Sequence, residues 1–125
     1  MKIEVSNGEI ADKVTILEIK MKEITDPVKQ EKVKKEYAIL SKDLASFLDT
    51  STNTFYKQLY DINYKLWHIE DEIRICELNK DSGERFIALA RSVYVTNDER
   101  AHVKSLINKQ TKSEIEEVKS YAPYL

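Results

Sequence analysis

The stretch Phe55 to Lys80, FYKQLYDINYKLWHIEDEIRICELNK, decides the fold. It holds neither Gly nor Pro, and its apolar residues recur at spacings of three and four. One stripe is Phe55, Leu59, Ile62, Leu66, Ile69, Ile73 and Cys76. A second stripe starts one residue later and is aromatic: Tyr56, Tyr60, Tyr64 and Trp67, then Leu78. At about 100° per residue the two stripes lie roughly 100–120° apart. A helix that is apolar on two sides needs a neighbour on each, so this segment is predicted to be a long central helix. Asp71 and Arg74 stand on the aromatic face where apolar residues are expected.

Upstream, Ile3 and Val5 alternate in a short extended arm. Ser6-Asn7-Gly8-Glu9 reads as a capping box, in which the Ser6 hydroxyl accepts from the Glu9 amide and the Glu9 carboxylate returns the bond. The helix it opens runs to about Ile24, with a heptad-like seam of Ile10, Val14, Leu17, Met21 and Ile24. Ile19 points away from that seam and is either a lone surface residue or part of an oligomer contact. Asp26 and Pro27 end this helix and start the next, because Asp caps and Pro suits the first helical position. So tight a turn implies an antiparallel hairpin. The second helix carries Val33, Tyr37, Leu40, Leu44 and Phe47 or Leu48, with a solvated Lys/Glu face. The polar run Asp49 to Thr54 is the one clear loop and offers several caps for the long helix.

Downstream, Asp81 to Glu84 gives a turn and a cap. A fourth helix carries Phe86, Leu89, Ala90 and Val93. Thr96-Asn97-Asp98-Glu99 repeats the capping pattern and is read as opening a fifth helix with Val103, Leu106 and Ile107. Thr111 to Glu114 can cap one more short helix. The aromatic tail from Lys119 is expected to pack against the body. The expected fold is therefore all-α and a single domain over residues 1–125. It is a bundle of three long antiparallel helices, a coiled-coil-like hairpin plus the long central helix. The two to three shorter C-terminal helices cover its aromatic stripe.

Composition narrows the function. Hydrophobic residues make up 42% and charged residues 34% of the 125, which suits one globular domain and not a disordered tail. No apolar run approaches the ~20 residues of a bilayer crossing, so no membrane insertion is expected. The first residues are too short and too charged for a signal peptide, and the reading is soluble and cytoplasmic. A net charge of −2 with interspersed Lys and Glu argues against a nucleic-acid binder. The single Cys, Cys76, lies on an apolar stripe and reads as a buried small hydrophobe.

Two constellations could carry chemistry. The first is Asp71 with Arg74, beside Trp67. A covered pair of this kind is either a fold-specifying salt bridge or a pocket that a ligand completes. A filled core would bring Asp71 and Arg74 into contact; a pocket would leave a cavity lined by Trp67, Arg91 and Tyr94. The second is Arg91, Tyr94, Asn97, Asp98, Arg100 and Lys104, around the expected helix junction. A capped helix N-terminus, two guanidiniums and a tyrosine hydroxyl suit an anion. Lys119 and Tyr121 in the tail can reach either site. All four arginines fall in the second half of the chain. Glu70, Asp71 and Glu72 form the only acid cluster near a His, and His68 and Glu72 project away from Asp71, so no metal and no cofactor is expected. There is no Gly-rich phosphate loop, no zinc cluster, and no arginine on the first helix of the kind an all-helical chorismate-type mutase needs.

Val5-Ser6-Asn7-Gly8-Glu9-Ile10, Asp12-Lys13 and Thr15-Ile16-Leu17-Glu18-Ile19-Lys20 resemble the opening of a family of small helical bacterial and viral proteins of unknown function. Trp67 to Arg74 (WHIEDEIR), Ala90 to Arg100 (ARSVYVTNDER) and Lys119 to Tyr124 (KSYAPY) are similar to later parts of that family. Its members tend to be encoded near surface-polysaccharide and glycosyltransferase genes. The resemblance implies an accessory role there and assigns no catalytic residue.

The function expected first is a non-enzymatic binding or assembly module, homo-oligomeric or with a protein partner, accessory to surface-glycan biosynthesis. The alternative is a small enzyme or ligand-binding protein for an anionic metabolite such as a sugar phosphate. It would hold the anion with Arg74, Arg91 and Arg100, and Asp71 or Tyr94 would handle the proton.

Overall fold

The computed structural model describes residues 1–124. Four helices, α1 (Asn7–Glu23), α2 (Pro27–Ala45), α3 (Thr54–Leu78) and α4 (Glu84–Gln110), make an all-α fold, and no strand occurs among the described residues. Local sequence sets most of the ends. Ser6 Oγ accepts from Glu9 N, Asp26 from Val28 N and Lys29 N, and Asn53 from Tyr56 N. α3 and α4 both stop at a lysine in the left-handed region, Lys80 and Lys112, each at φ 54°. In each case the next amide reaches back over the helix end, Asp81 N to Cys76 O and Ser113 N to Asn108 O, in a Schellman closure.

The helix at the centre is α1. It packs against all three others; α3 and α4 pack on each other, and α2 packs along α1 alone. This corrects the expectation of a central α3. The two stripes of α3 also have other covers than expected. Its Tyr56, Asn63 and Tyr64 side meets α1, through Glu18, Asp12 and Glu23. Gln58, Asp61 and Ile62 run beside Glu99, His102 and Val103 of α4. The core joins Ala11 and Val14 of α1, Leu44 and Leu48 of the α2 end, Tyr56 and Leu59 of α3, and Val103 and Ile107 of α4. Each fully buried aliphatic side chain there contributes about 1.5–3 kcal/mol.

Three further expectations change. Ile19 is buried to 1% exposure, so it belongs to the interior and not to a free surface. The fourth and fifth helices are one: α4 runs unbroken through Thr96, Asn97 and Asp98. No Gly or Pro interrupts it, so those amides bond to carbonyls one turn back and need no cap. The Thr111–Glu114 cap opens no helix; the chain leaves α4 there and returns along it as an irregular C-terminal strap, residues 113–124. Cys76 is buried and free of any disulfide. No helix among the described residues is long and apolar enough to cross a membrane.

Candidate functional site

Small and polar residues of α1 set the geometry where it crosses α4. Gly8 lies so close to α4 that an added Cβ would stand 2.5 Å from the Lys104 carbonyl oxygen. The α1 amides that have no partner inside the helix are all used. Gly8 N donates to Asn108 Oδ1 (2.6 Å), Asn7 N to Ser113 Oγ (3.0 Å) and Glu9 N to Ser6 Oγ (3.1 Å). The start of α1 is therefore a docking point for α4 and the strap. The reciprocal half of the capping box is absent, because the Glu9 carboxylate goes to Lys104 Nζ at 2.7 Å.

One turn on, Asp12 is buried with its side chain 1% exposed. Its Oδ1 accepts from Arg100 Nε (2.8 Å) and Asn63 Nδ2 (2.9 Å), and Arg100 Nη2 grips Oδ2 to complete a two-pronged pair. Asn63 also donates to Thr15 Oγ1 (2.8 Å), and Thr15 donates to the Asp12 carbonyl (2.7 Å). The carboxylate's hydrogen bonds hold the Arg100 proton more firmly than in water, against the opposing pull of burial. Thr96 Oγ1, one turn before Arg100, is buried without a partner among the described residues.

The strap lies along α4 on the same side. Glu117 accepts from Lys104 Nζ (3.2 Å), and Tyr124 donates to Asp98 Oδ2 (2.8 Å) while its ring meets Tyr94 edge-on at 4.9 Å. Between strap and α4 runs an open groove of about 840 Å³. Its lining includes Tyr94, Asn97 and Arg100 of α4 with Lys119, Tyr121 and Tyr124 of the strap.

Eight residues were singled out from sequence as ligand-binding candidates. Tyr94, Arg100, Lys119 and Tyr121 come together around this groove. Trp67, Asp71, Arg74 and Arg91 do not line it. Asp71 and Arg74 are both exposed and make no pair; Arg74 sits 3.4 Å from Glu70 instead. The contact between Asp71 and Arg74 expected of a filled core is thus not formed, because that end of α3 reaches past α1, whose last residue meets Tyr64. The expected helix N-terminus at Thr96 is also gone, so the groove offers side chains alone. Sequence reading missed Asp12, Asn63, Glu117 and Tyr124. Asn63 carried a signal, since it falls at apolar spacing between Leu59 and Leu66.

Arg100 has donors left after binding Asp12, and its side chain is 28% exposed. Lys119 Nζ is only loosely held, 3.7 Å from Glu117. The groove therefore presents the spare donors of Arg100 and the Lys119 ammonium beside tyrosine faces, together with the Asp98 carboxylate that Tyr124 holds. Among the described residues no group of three or more His, Cys, Asp or Glu side chains gathers to hold a metal.

Titration should act on the strap. The hydrogen bond from Lys104 and its charge hold the Glu117 carboxyl below its ordinary value of 4.5. Burial works against the Lys104 charge, but Glu9, Asp12 and Glu117 outweigh it and leave its pKa above 10.5. The Glu117 contribution is thus complete above pH 4.5 and fades as pH falls through its lowered value. The Lys104 contribution is complete below pH 10.5 and fades as pH rises past it. The Tyr124–Tyr94 ring contact, read as a nuclear Overhauser effect, should weaken below pH 4.5 while the helices stay folded, and Glu117→Gln should remove that acid dependence. An equal effect in wild type and variant at every pH would show that the ion pair does not hold the strap.

A comparison with protein families matches the Family of unknown function (DUF6165) over residues 1–125. The chain belongs to that family. No curated protein and no solved structure matches it.

Proposed function

We propose that this member of the family is a ligand-binding protein whose groove between α4 and the strap takes an anionic, sugar-bearing metabolite such as a sugar phosphate. The observation that supports it is the meeting of Tyr94, Arg100, Lys119 and Tyr121, distant in sequence, around one open groove. Guanidinium and ammonium groups suit phosphate or carboxylate, and tyrosine faces suit the apolar face of a sugar ring. Asn97 adds a donor and an acceptor for hydroxyls. A place beside surface-glycan biosynthesis rests on the family resemblance of the VSNGEI, WHIEDEIR and KSYAPY stretches.

Thermal shift with sugar phosphates, nucleotide sugars and uncharged sugars tests this. A ligand at 100 times its dissociation constant adds about 2.7 kcal/mol, or roughly 10 °C for a chain of this length. The anionic compounds should produce the shift. Lys119→Ala and Tyr94→Ala should abolish it at a small cost to the unliganded melting point, since both side chains are more than a third exposed and lie outside the core. No shift with any of the three classes would sink the reading; a shift with uncharged sugars alone would remove the anion from it.

A second reading, a non-enzymatic assembly module, is supported by a different observation. Ile75, Leu78 and Ile87 stand 44%, 81% and 46% exposed at one end of the α3–α4 pair. Apolar side chains clustered on a surface mark contacts with another protein.

A further inference from the structure

α3 and α4 are longer than the helix that supports them. They span about 38 and 40 Å, against about 26 Å for α1. α1 runs antiparallel to α4, with Gly8 beside Lys104 and Asn108 and Asp12 beside Arg100. Its last residue, Glu23, bonds to Tyr64, so α1 ends beside the middle of α3 and the α3–α4 pair continues beyond it. The last two turns of α3 and the first turns of α4 therefore project as a two-helix arm. α2 does not back it, since α2 packs on α1 alone. Of residues 71–91 only Cys76 is buried. The arm buries too little to hold itself as a pair in water, where short helices rely on a packed apolar face.

Its outward faces are patterned. Asp71, Ile75 and Leu78 recur at four and three on α3, and Ile87, Arg91 and Val95 at four on α4. Glu72 is ion-paired with Arg85, and Asn53 Nδ2 bonds to Gln110 Oε1 at 2.6 Å, which fixes the antiparallel register of the two helices. In that register Ile75 lies within a turn of the level of Ile87, and Asp71 within a turn of the level of Arg91. Among the described residues neither Asp71 nor Arg91 takes part in an ion pair.

We infer that the arm is the interface of a homodimer, in which a two-fold axis along the arm sets α3 of each copy against α4 of its partner. Such an axis keeps every residue at its own level. It therefore brings Ile75 against the other copy's Ile87 and Asp71 against the other copy's Arg91, twice over. The two hairpins become a four-helix bundle whose apolar seam excludes water. The opposite charges specify this pairing over a parallel match of α3 with α3, which would set Asp71 against itself. A second copy fits because each arm carries both halves of the match.

The inference rests on the assembly reading and is independent of the groove. Sedimentation equilibrium of the full chain is expected to give twice the 14.6 kDa of one chain. Ile75→Glu should yield monomer. Arg91→Glu should weaken the dimer at least tenfold, and adding Asp71→Arg should restore it, since the swap rebuilds both pairs. The monomeric variant should lose at most the helix of the arm, since the α1-centred core is untouched, and the variant with both charges swapped should keep it. A dimer indifferent to all three variants would overturn this interface and leave the assembly reading in place. Monomer at every concentration would overturn both.

Discussion

Asp12→Ala is expected to lower stability by about 3 kcal/mol, the low end of what removing one partner of a buried ion pair costs. Two facts set that figure. The Asp12 carboxylate is almost wholly buried and takes three hydrogen bonds, so its loss strands both Arg100 and Asn63. Arg100 is partly exposed, so water can recover some of what it loses. For a chain of this length the fall corresponds to roughly 12 °C in Tm. Urea unfolding of Asp12→Ala, Arg100→Ala and the double variant separates the pair from its surroundings. A coupling above about 1.5 kcal/mol is expected, because the two side chains form one network. Asp12→Leu with Arg100→Met should recover much of the loss, since a filled apolar contact tolerates removal of both charges. Additive single effects would show that the two groups are not joined in the folded protein.

That pair also shows where sequence reading stops. The helical class, the turn at Asp26-Pro27 and the caps at Ser6, Asp26 and Asn53 are local chemistry, legible within a few residues. The centre of the bundle was misplaced because the decisive face of α1 is not apolar. Gly8, Asp12, Thr15 and Ile19 recur at four, three and four, the same rhythm as the Val14 and Leu17 seam. Three of those four are small or polar, so a search by hydrophobicity passes over them and leaves Ile19 looking stray. Only their partners, Lys104, Arg100 and Asn108 of α4 and Asn63 of α3, explain Gly8, Asp12 and Thr15. Thr96-Asn97-Asp98-Glu99 misled for the opposite reason. A capping pattern is permissive, and mid-helix it is tolerated with Asp98 and Glu99 facing water and Thr96 turned into the interior. The groove was half legible, since residue types suited to anions clustered between 91 and 121. Which of them meet depends on the strap turning back at Lys112, a tertiary event with no local signature.

Gly8→Ala should be the most damaging single-methyl change at the docking point of α1. The new Cβ would stand 2.5 Å from the Lys104 carbonyl oxygen and 3.0 Å from Asn108 Oδ1. The first of these is backbone of a long helix and cannot swing aside, so α4 must move away from α1. Overpacking of this kind costs about 1–3 kcal/mol. Alanine's better helix propensity, worth up to about 1 kcal/mol, offsets part of it. A net loss near 2 kcal/mol is expected, or roughly 8 °C in Tm. Gly83→Ala is the control: its Cβ would meet only the Asp81 side chain, at 3.3 Å, and stability should hold within about 1 kcal/mol. The damage should also reach the groove. Displacing α4 at Lys104 and Asn108 pulls on the residues that hold the strap, Glu117 through Lys104 and Ser113 through Asn7. Well below its melting point, Gly8→Ala should therefore weaken the Tyr124–Tyr94 nuclear Overhauser contact relative to wild type and bind groove ligands more weakly. An unchanged strap in a destabilised Gly8→Ala protein would mean that Tyr124 and Asp98 alone fix it, and that the groove is independent of the α1–α4 crossing.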